Sequence, residues 1–232
     1  MRLAFGRFIK ILLSSFFIQT SWSFSTLQGL GFLFNLMIAT KKDNRPKIME
    51  THKGFFNTHP YMSSYIVGAV VRAYDENQYT TEEIHKFISI AQKSFASAGD
   101  LLFWEILRPA LLLIGTIMAL KFGIVGPLIF ITVYTIFHLY HRIQGIYDGY
   151  NMKWDVIFIL KSRRFTTTQH IFELLGAFCS GLLIAAVSLE VSYLLIVPFS
   201  ILFIVLLLRK VPSVVITLVV ILSIIIIVWV GI

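Results

Sequence analysis

Residues 109–137 read PALLLIGTIMALKFGIVGPLIFITVYTIF. The run is apolar along its whole length except in its middle, where Lys121, Gly123, Gly126 and Pro127 fall. One continuous helix would set a lysine at the depth where a charge is most costly, and a proline where the ladder needs an N–H. The spacing therefore predicts two shorter helices joined by a polar turn at Lys121–Gly126, the first reaching back through Leu101–Arg108. Apolar helices in this arrangement have lipid as their solvent.

Composition points the same way. Of 232 residues, 57% are hydrophobic and 14% charged, where a soluble domain has about 45–50% and about 25%. The net charge of +8 could suggest a nucleic-acid partner. The basic residues sit instead in short clusters beside apolar runs: Lys41, Lys42, Arg45 and Lys47; Lys161, Arg163 and Arg164; Arg209 and Lys210. That placement marks cytoplasmic loops of membrane proteins and excludes a nucleic-acid module. The single cysteine, Cys179, lies in an apolar run and reads as an inert thiol.

A spanning helix needs about 20 mostly apolar residues. Phe172–Leu189, Val191–Leu208 and Pro212–Val230 meet that need, with a hairpin turn at Glu190 and a cytoplasmic turn at Arg209-Lys210. The N-terminal half holds two apolar stretches too short to span, Leu27–Ala39 and Tyr61–Val71. Such runs are core helices, re-entrant segments or interfacial segments, and when broken by Gly or Pro they are the best sequence pointer to a transporter's binding site. Met1–Ser25 could pass for a secretory signal, but Lys10 interrupts its apolar stretch and Trp22 and Phe24 crowd the cleavage region, so a retained amphipathic helix is the expectation. Thr80–Phe95 places Ile84, Phe87, Ile88, Ala91 and Phe95 on one face, with a threonine cap and acids in the first turn, and reads as an amphipathic surface helix. The expected fold is an all-α integral membrane protein. Amphipathic and half-membrane helices occupy 1–98, broken membrane helices 99–142, a polar and basic connector 143–170, and three transmembrane helices 171–232.

The most informative segment is Phe55-Phe56-Asn57-Thr58-His59-Pro60-Tyr61. Pro60 holds His59 extended, so no helix runs through it, while Thr58 or Asn57 can cap a helix beginning at Pro60. Asn57 and His59 then present amide and imidazole groups at a helix break, groups that bind a hydroxyl-rich ligand well. A polar turn that satisfies only its own backbone is the other reading of these residues, and by themselves they lean toward it. Gln19 and Gln28 are uncharged polar groups beside apolar runs, and Trp22 suits either ring stacking or an interfacial belt. In the stretch from Gly99 to Pro109, Asp100 could cap a helix or hold a neighbouring subunit. Glu105 and Arg108, three apart, could form an internal ion pair or meet a substrate. His138, His141 and Arg142 follow an apolar run; the histidine pair lacks a third ligand, so interfacial anchoring is expected rather than a metal site. No phosphate-binding loop, nucleophile elbow or dinucleotide fingerprint is present, and nothing pairs a nucleophile with a base.

Four blocks appear in a telling order: Phe17-Ile18-Gln19-Thr20-Ser21-Trp22-Ser23, Gln28-Gly29-Leu30-Gly31-Phe32, Phe55-Phe56-Asn57-Thr58-His59-Pro60-Tyr61 and Gly99-Asp100-Leu101-Leu102-Phe103-Trp104. Together they resemble the IID component of the mannose/fructose/sorbose family of the bacterial sugar phosphotransferase system, with motifs over about residues 8–150 and a looser match in the order of apolar segments beyond. The resemblance implies a multi-pass subunit of the cytoplasmic membrane that works beside a IIC subunit to bind a hexose and carry it inward. Soluble IIA and IIB units would pass phosphate to the arriving sugar, so this chain would need no cofactor and carry no phosphohistidine. It implies a sugar-site role for Asn57, Thr58, His59, Gln28 and Gln19, and a structural or assembly role for Pro60, Asp100, Trp104, Glu105 and Arg108. The chain departs from the family in the polar segment around Glu190, which is nearly absent, and in its Ile- and Val-rich tail. A shortened, non-transporting paralogue that binds partners or regulates is the alternative that departure raises.

Overall fold

The computed structural model describes residues 3–188 and the isolated positions 201, 202, 204, 205, 209, 215, 219 and 222. Among the described residues every regular element is helical. Residues Met1–Ala177 form one compact unit and Phe178–Ile232 a second. The expected spans Val191–Leu208 and Pro212–Val230, and the turn at Glu190, lie outside the described residues.

The helices are α1 (Phe5–Ser15), α2 (Gly29–Ala39), α3 (Arg45–Thr51), α4 (Ser63–Glu76), α5 (Thr81–Gly99), α6 (Arg108–Phe122), α7 (Val125–Met152) and α8 (Arg163–Ser188). A π-helical segment, Asp100–Leu107, joins α5 to α6, and a 3₁₀ segment, Lys153–Lys161, joins α7 to α8.

α5 starts as its sequence dictates. The Thr80 hydroxyl accepts from the Glu83 N–H and the Glu83 carboxylate accepts from the Thr80 N–H, a reciprocal cap. Ile84, Phe87, Ile88, Ala91 and Phe95 are all buried, as their spacing requires. The helix does not stop where Gly99-Asp100 suggested. It continues to Phe122, so that the boundary expected at 98/99 falls inside one 42-residue helix. Pro109 has no N–H for the ladder, and a π segment just upstream shifts the hydrogen-bond register where that gap is absorbed. Among the described residues this is the one helix long and apolar enough to cross a membrane. At about 1.5 Å per residue it is roughly twice as long as the hydrocarbon core is thick.

The expected break at Lys121–Gly126 is present. Gly123 ends α6 with φ +56°, a conformation that only glycine adopts freely, and α7 begins at Val125 with Pro127 in its first turn.

The core is built around α4. From Ser63 to Val71 every α4 residue is buried, which no amphipathic surface helix would be. α4 and α7 approach closely because small residues face each other. A side chain at Gly149 would strike the Tyr65 carbonyl, and one at Gly68 the Ile146 carbonyl. Ionic contacts fix the same elements. Arg7 of α1 makes a two-pronged pair with the fully buried Asp75 carboxylate of α4, at 2.8 and 3.1 Å. The Tyr150 hydroxyl of α7 donates to the same carboxylate at 2.9 Å. The second Arg7 contact, Nε to the Ala39 carbonyl at 2.9 Å, fastens the end of α2. Asp75 is thus a buried charge with its lone pairs matched, the condition under which burial of a carboxylate is tolerated.

Candidate functional site

The segment 52–62 runs irregularly between α3 and α4, as Pro60 required. It is held on one side by the residues that precede α2. The Leu27 N–H donates to the Ser23 carbonyl and the Gln28 N–H to the Phe56 carbonyl, at 2.8 and 2.9 Å. Leu27 takes φ +49°, a left-handed conformation uncommon outside glycine, and bridges on both sides hold it there. Next to it, the Gln28 side chain lies along the Thr58 backbone. Its Oε1 accepts from the Thr58 N–H at 3.1 Å and its Nε2 donates to the Thr58 carbonyl at 2.8 Å. A glutamine side chain here imitates the neighbouring strand that the segment lacks. From the other side, Gln92 of α5 accepts the Asn57 N–H at 3.1 Å. Three backbone groups of a segment with no secondary structure, the Thr58 N–H and carbonyl and the Asn57 N–H, are satisfied by side-chain amides, which fixes it as firmly as a ladder would.

This scaffold buries His59. The ring is 1% exposed, stacks on Phe103 at 4.9 Å and 10°, and meets the edges of Tyr61 at 5.0 Å and Trp104 at 5.6 Å. Gly99 makes room for it: a Cβ there would overlap the His59 side chain. Neither His59 nitrogen has a hydrogen-bond partner among the described residues, nor does the buried Thr58 hydroxyl. Two unpaired ring nitrogens in a buried imidazole are costly, about 1–3 kcal/mol each.

α7 supplies the facing wall. Tyr61 lies 4.9 Å from the His138 ring and 6.1 Å from Tyr134. Arg142 is 4% exposed, with its guanidinium 4.7 Å from the Phe16 ring centroid and 5.2 Å from that of Tyr61. It donates to the Ser15 carbonyl and, at 3.0 Å, to the Ser15 hydroxyl at the end of α1. His141 is buried and hydrogen-bonds Tyr65 at 3.1 Å. His138, His141 and Arg142 were expected as anchors at a membrane edge. They face inward instead, because the small residues of α7 draw it against α4 and turn this helix face to the core. The signal was present in the sequence as an arginine one residue after a histidine in an apolar helix, a combination that lipid does not tolerate.

The remaining expectations fall as follows. Asn57 is exposed beside the buried Thr58 and His59, and Pro60 is buried behind them. Gln19 is exposed in the turns after α1, where its carbonyl accepts from the Trp22 N–H at 3.3 Å, and Trp22 is 55% exposed. Asp100 lies inside the continuous helix and not at a helix start. Glu105 and Arg108 are both exposed and form no ion pair among the described residues. The π segment winds more residues per turn than an α-helix, so residues three apart swing away from each other. Arg108 instead covers the Trp104 ring at 5.4 Å. No group of three metal-ligating side chains occurs among the described residues.

Outside the spanning helix, at the end of α3, His52 is held neutral. Burial and the neighbouring His85 lower its pKa from 6.5 to about 4, and its Nε2 lies 2.7 Å from the Tyr74 hydroxyl.

The chain is 28% identical over 185 residues to the mannose-specific EIID component of Escherichia coli strain K12, covering 75% of this chain and 65% of that one. It is 27% identical to the fructose permease IID component of Bacillus subtilis strain 168, covering 79% and 70%. Against the sorbose-specific EIID component of Lacticaseibacillus casei the identity is 28%, covering 77% and 67%. The chain therefore spans about two thirds of the length of these relatives. Its fold is similar to a chain of the mannose transporter ManYZ solved with microcin E492, with TM-score 0.61, 24% identity, and coverage of 79% of this chain and 70% of that chain. A second solved membrane protein gives TM-score 0.68 at 24% identity, covering 79% and 71%. The family model of the IID component of mannose/fructose/sorbose phosphotransferase systems matches residues 3–198, and the chain belongs to that family.

Proposed function

We propose that this chain is a multi-pass subunit of the bacterial cytoplasmic membrane that, with a IIC partner, binds a hexose-type sugar and moves it inward for phosphorylation by IIA and IIB units. It is not catalytic alone. The sugar meets Asn57, Thr58 and His59 at the break before α4. Gln28 positions that break rather than touching the ligand, since both ends of its amide are taken by Thr58. Gln19, exposed in the turns before α2, is proposed as a further sugar contact.

One observation carries the proposal. His59 is buried at a rigidly held helix break, stacked on Phe103, with both nitrogens unpartnered among the described residues. Irregular backbone and free polar groups at membrane depth are tolerated where they line a path for a polar solute. A sugar hydroxyl both donates and accepts, so it satisfies either tautomer of the ring. Sugar uptake by cells carrying His59→Ala or Asn57→Ala tests it. Both variants are expected to insert and assemble normally yet lose uptake; wild-type uptake in both removes them from the site.

A further inference from the structure

α7 carries a second constellation, one ring away from His59. Phe103, which stacks on His59, meets His141 edge-on with ring centroids 5.4 Å apart. His141 in turn lines a cavity of about 480 Å³ between α7 and the start of α8. That volume falls within the range of about 300–1,000 Å³ typical of small-molecule sites. Phe137 and Phe165 give it apolar walls, and Tyr140 adds an aromatic ring.

Its polar groups are few and specific. Gln144 Nε2 donates to Asp148 Oδ1 at 2.8 Å, which orients the carboxylate. Arg164 lies with its guanidinium 5.9 Å from the Tyr140 ring centroid. Neither Asp148 nor Arg164 forms an ion pair within 4.0 Å among the described residues. A carboxylate and a guanidinium thus share one cavity without neutralising each other directly.

That pairing decides the class of ligand. The fields of Asp148 and Arg164 offset each other, so neither a purely anionic nor a purely cationic ligand gains a net advantage from the pair. A neutral polyhydroxyl ligand uses both. The carboxylate accepts from neighbouring hydroxyls, the guanidinium donates to hydroxyl or ring oxygens, and an aromatic face packs against the C–H face of the sugar ring. We propose that this cavity is a second binding station for a neutral polyhydroxyl ligand of hexose size, separated from the His59 break by His141 and Phe103. It rests on the function proposed above only for the choice of a sugar among such ligands.

The test uses the full chain in nanodiscs of zwitterionic lipid, titrated calorimetrically with mannose in a His59→Ala background. Residual mannose binding is expected, weakened at least tenfold by Asp148→Ala or Arg164→Ala, with glucose 6-phosphate binding no better than mannose. Residual binding that both variants leave unchanged overturns the proposal, as does its absence in the background. So does phosphatidylglycerol binding that Arg164→Ala abolishes, which makes the cavity a lipid site. A second readout does not depend on those variants folding. In Thr168→Cys/Cys179→Ala, mannose is expected to slow maleimide labelling at position 168 several-fold, and an unchanged rate overturns the proposal. The two readings fail separately: wild-type uptake in His59→Ala and Asn57→Ala sinks the first, while the cavity stands or falls on residual binding and protection.

Discussion

Gln28 spends both ends of its amide on the Thr58 backbone, so a change there acts on the shape of the break and not on a direct ligand contact. Gln28→Glu keeps the acceptor and loses the donor to the Thr58 carbonyl, while Gln28→Ala strands both backbone groups. Stability is expected to fall by about 1–3 kcal/mol for the alanine, read by thermal unfolding in detergent, and by less for the glutamate. Equal, negligible losses would show that the clamp does not hold the segment. Gly99 belongs to the same scale. Gly99→Val drives a side chain into His59, so uptake is expected to fall with it even though position 99 offers no polar group to a sugar; unchanged uptake would show that the His59 ring can move without consequence. The sequence made His59, Asn57 and the break at Pro60 legible because proline restricts its neighbour whatever the fold. It could not show that Gln28 reaches across thirty residues to Thr58, since a glutamine beside an apolar run has the same appearance whether it faces a ligand or a backbone.

Helix starts and breaks were the most readable elements. The Thr80–Glu83 cap and the Gly123 turn follow from local chemistry, and both stand where the residues put them. The joining of α5 to α6 did not follow, because glycine lowers helix stability by only about 1 kcal/mol and the packing of Phe95, Leu102 and Phe103 in one core outweighs that. The π segment also explains why Glu105 and Arg108 do not pair, and a double charge reversal is expected to behave as the sum of its single changes, within about 0.5 kcal/mol. A larger coupling would contradict the geometry. Between elements, Asp75 ties α1 and α7 to α4. Asp75→Asn is expected to destabilise the first unit by about 3 kcal/mol, since it leaves the Arg7 guanidinium in a half-buried site without its counter-charge. Chemical unfolding of the variant measures it, and wild-type stability would rule the network out as a fastening.

Across the whole molecule, composition declared the solvent and the order of short motifs declared the family, while the inward face of α7 was marked only by the adjacent His141 and Arg142 and not by periodicity, because burial there comes from helix–helix contact. His52 gives the molecule a pH dependence of known sign. It is neutral in the folded chain down to about pH 4 and ordinarily protonates near 6.5 when unfolded. Acid therefore favours the unfolded state: stability is full above pH 6.5 and declines between 6.5 and about 4, by on the order of 1–2 kcal/mol at pH 5. Thermal unfolding at pH 7.5 and 5 should show the decline, and His52→Gln should make it smaller by about that amount. Sugar handling at the His59 break, by this chain as one subunit of a membrane complex, is the function proposed. Its most direct measurement is co-expression with a IIC partner, purification in mild detergent, and calorimetric titration with mannose, glucose, fructose, sorbose and amino sugars. A stable complex that binds at least one of these sugars and loses most of that affinity on His59→Ala is expected; a stable complex that binds none, or binds equally well without the imidazole, would show that the break does not handle sugar.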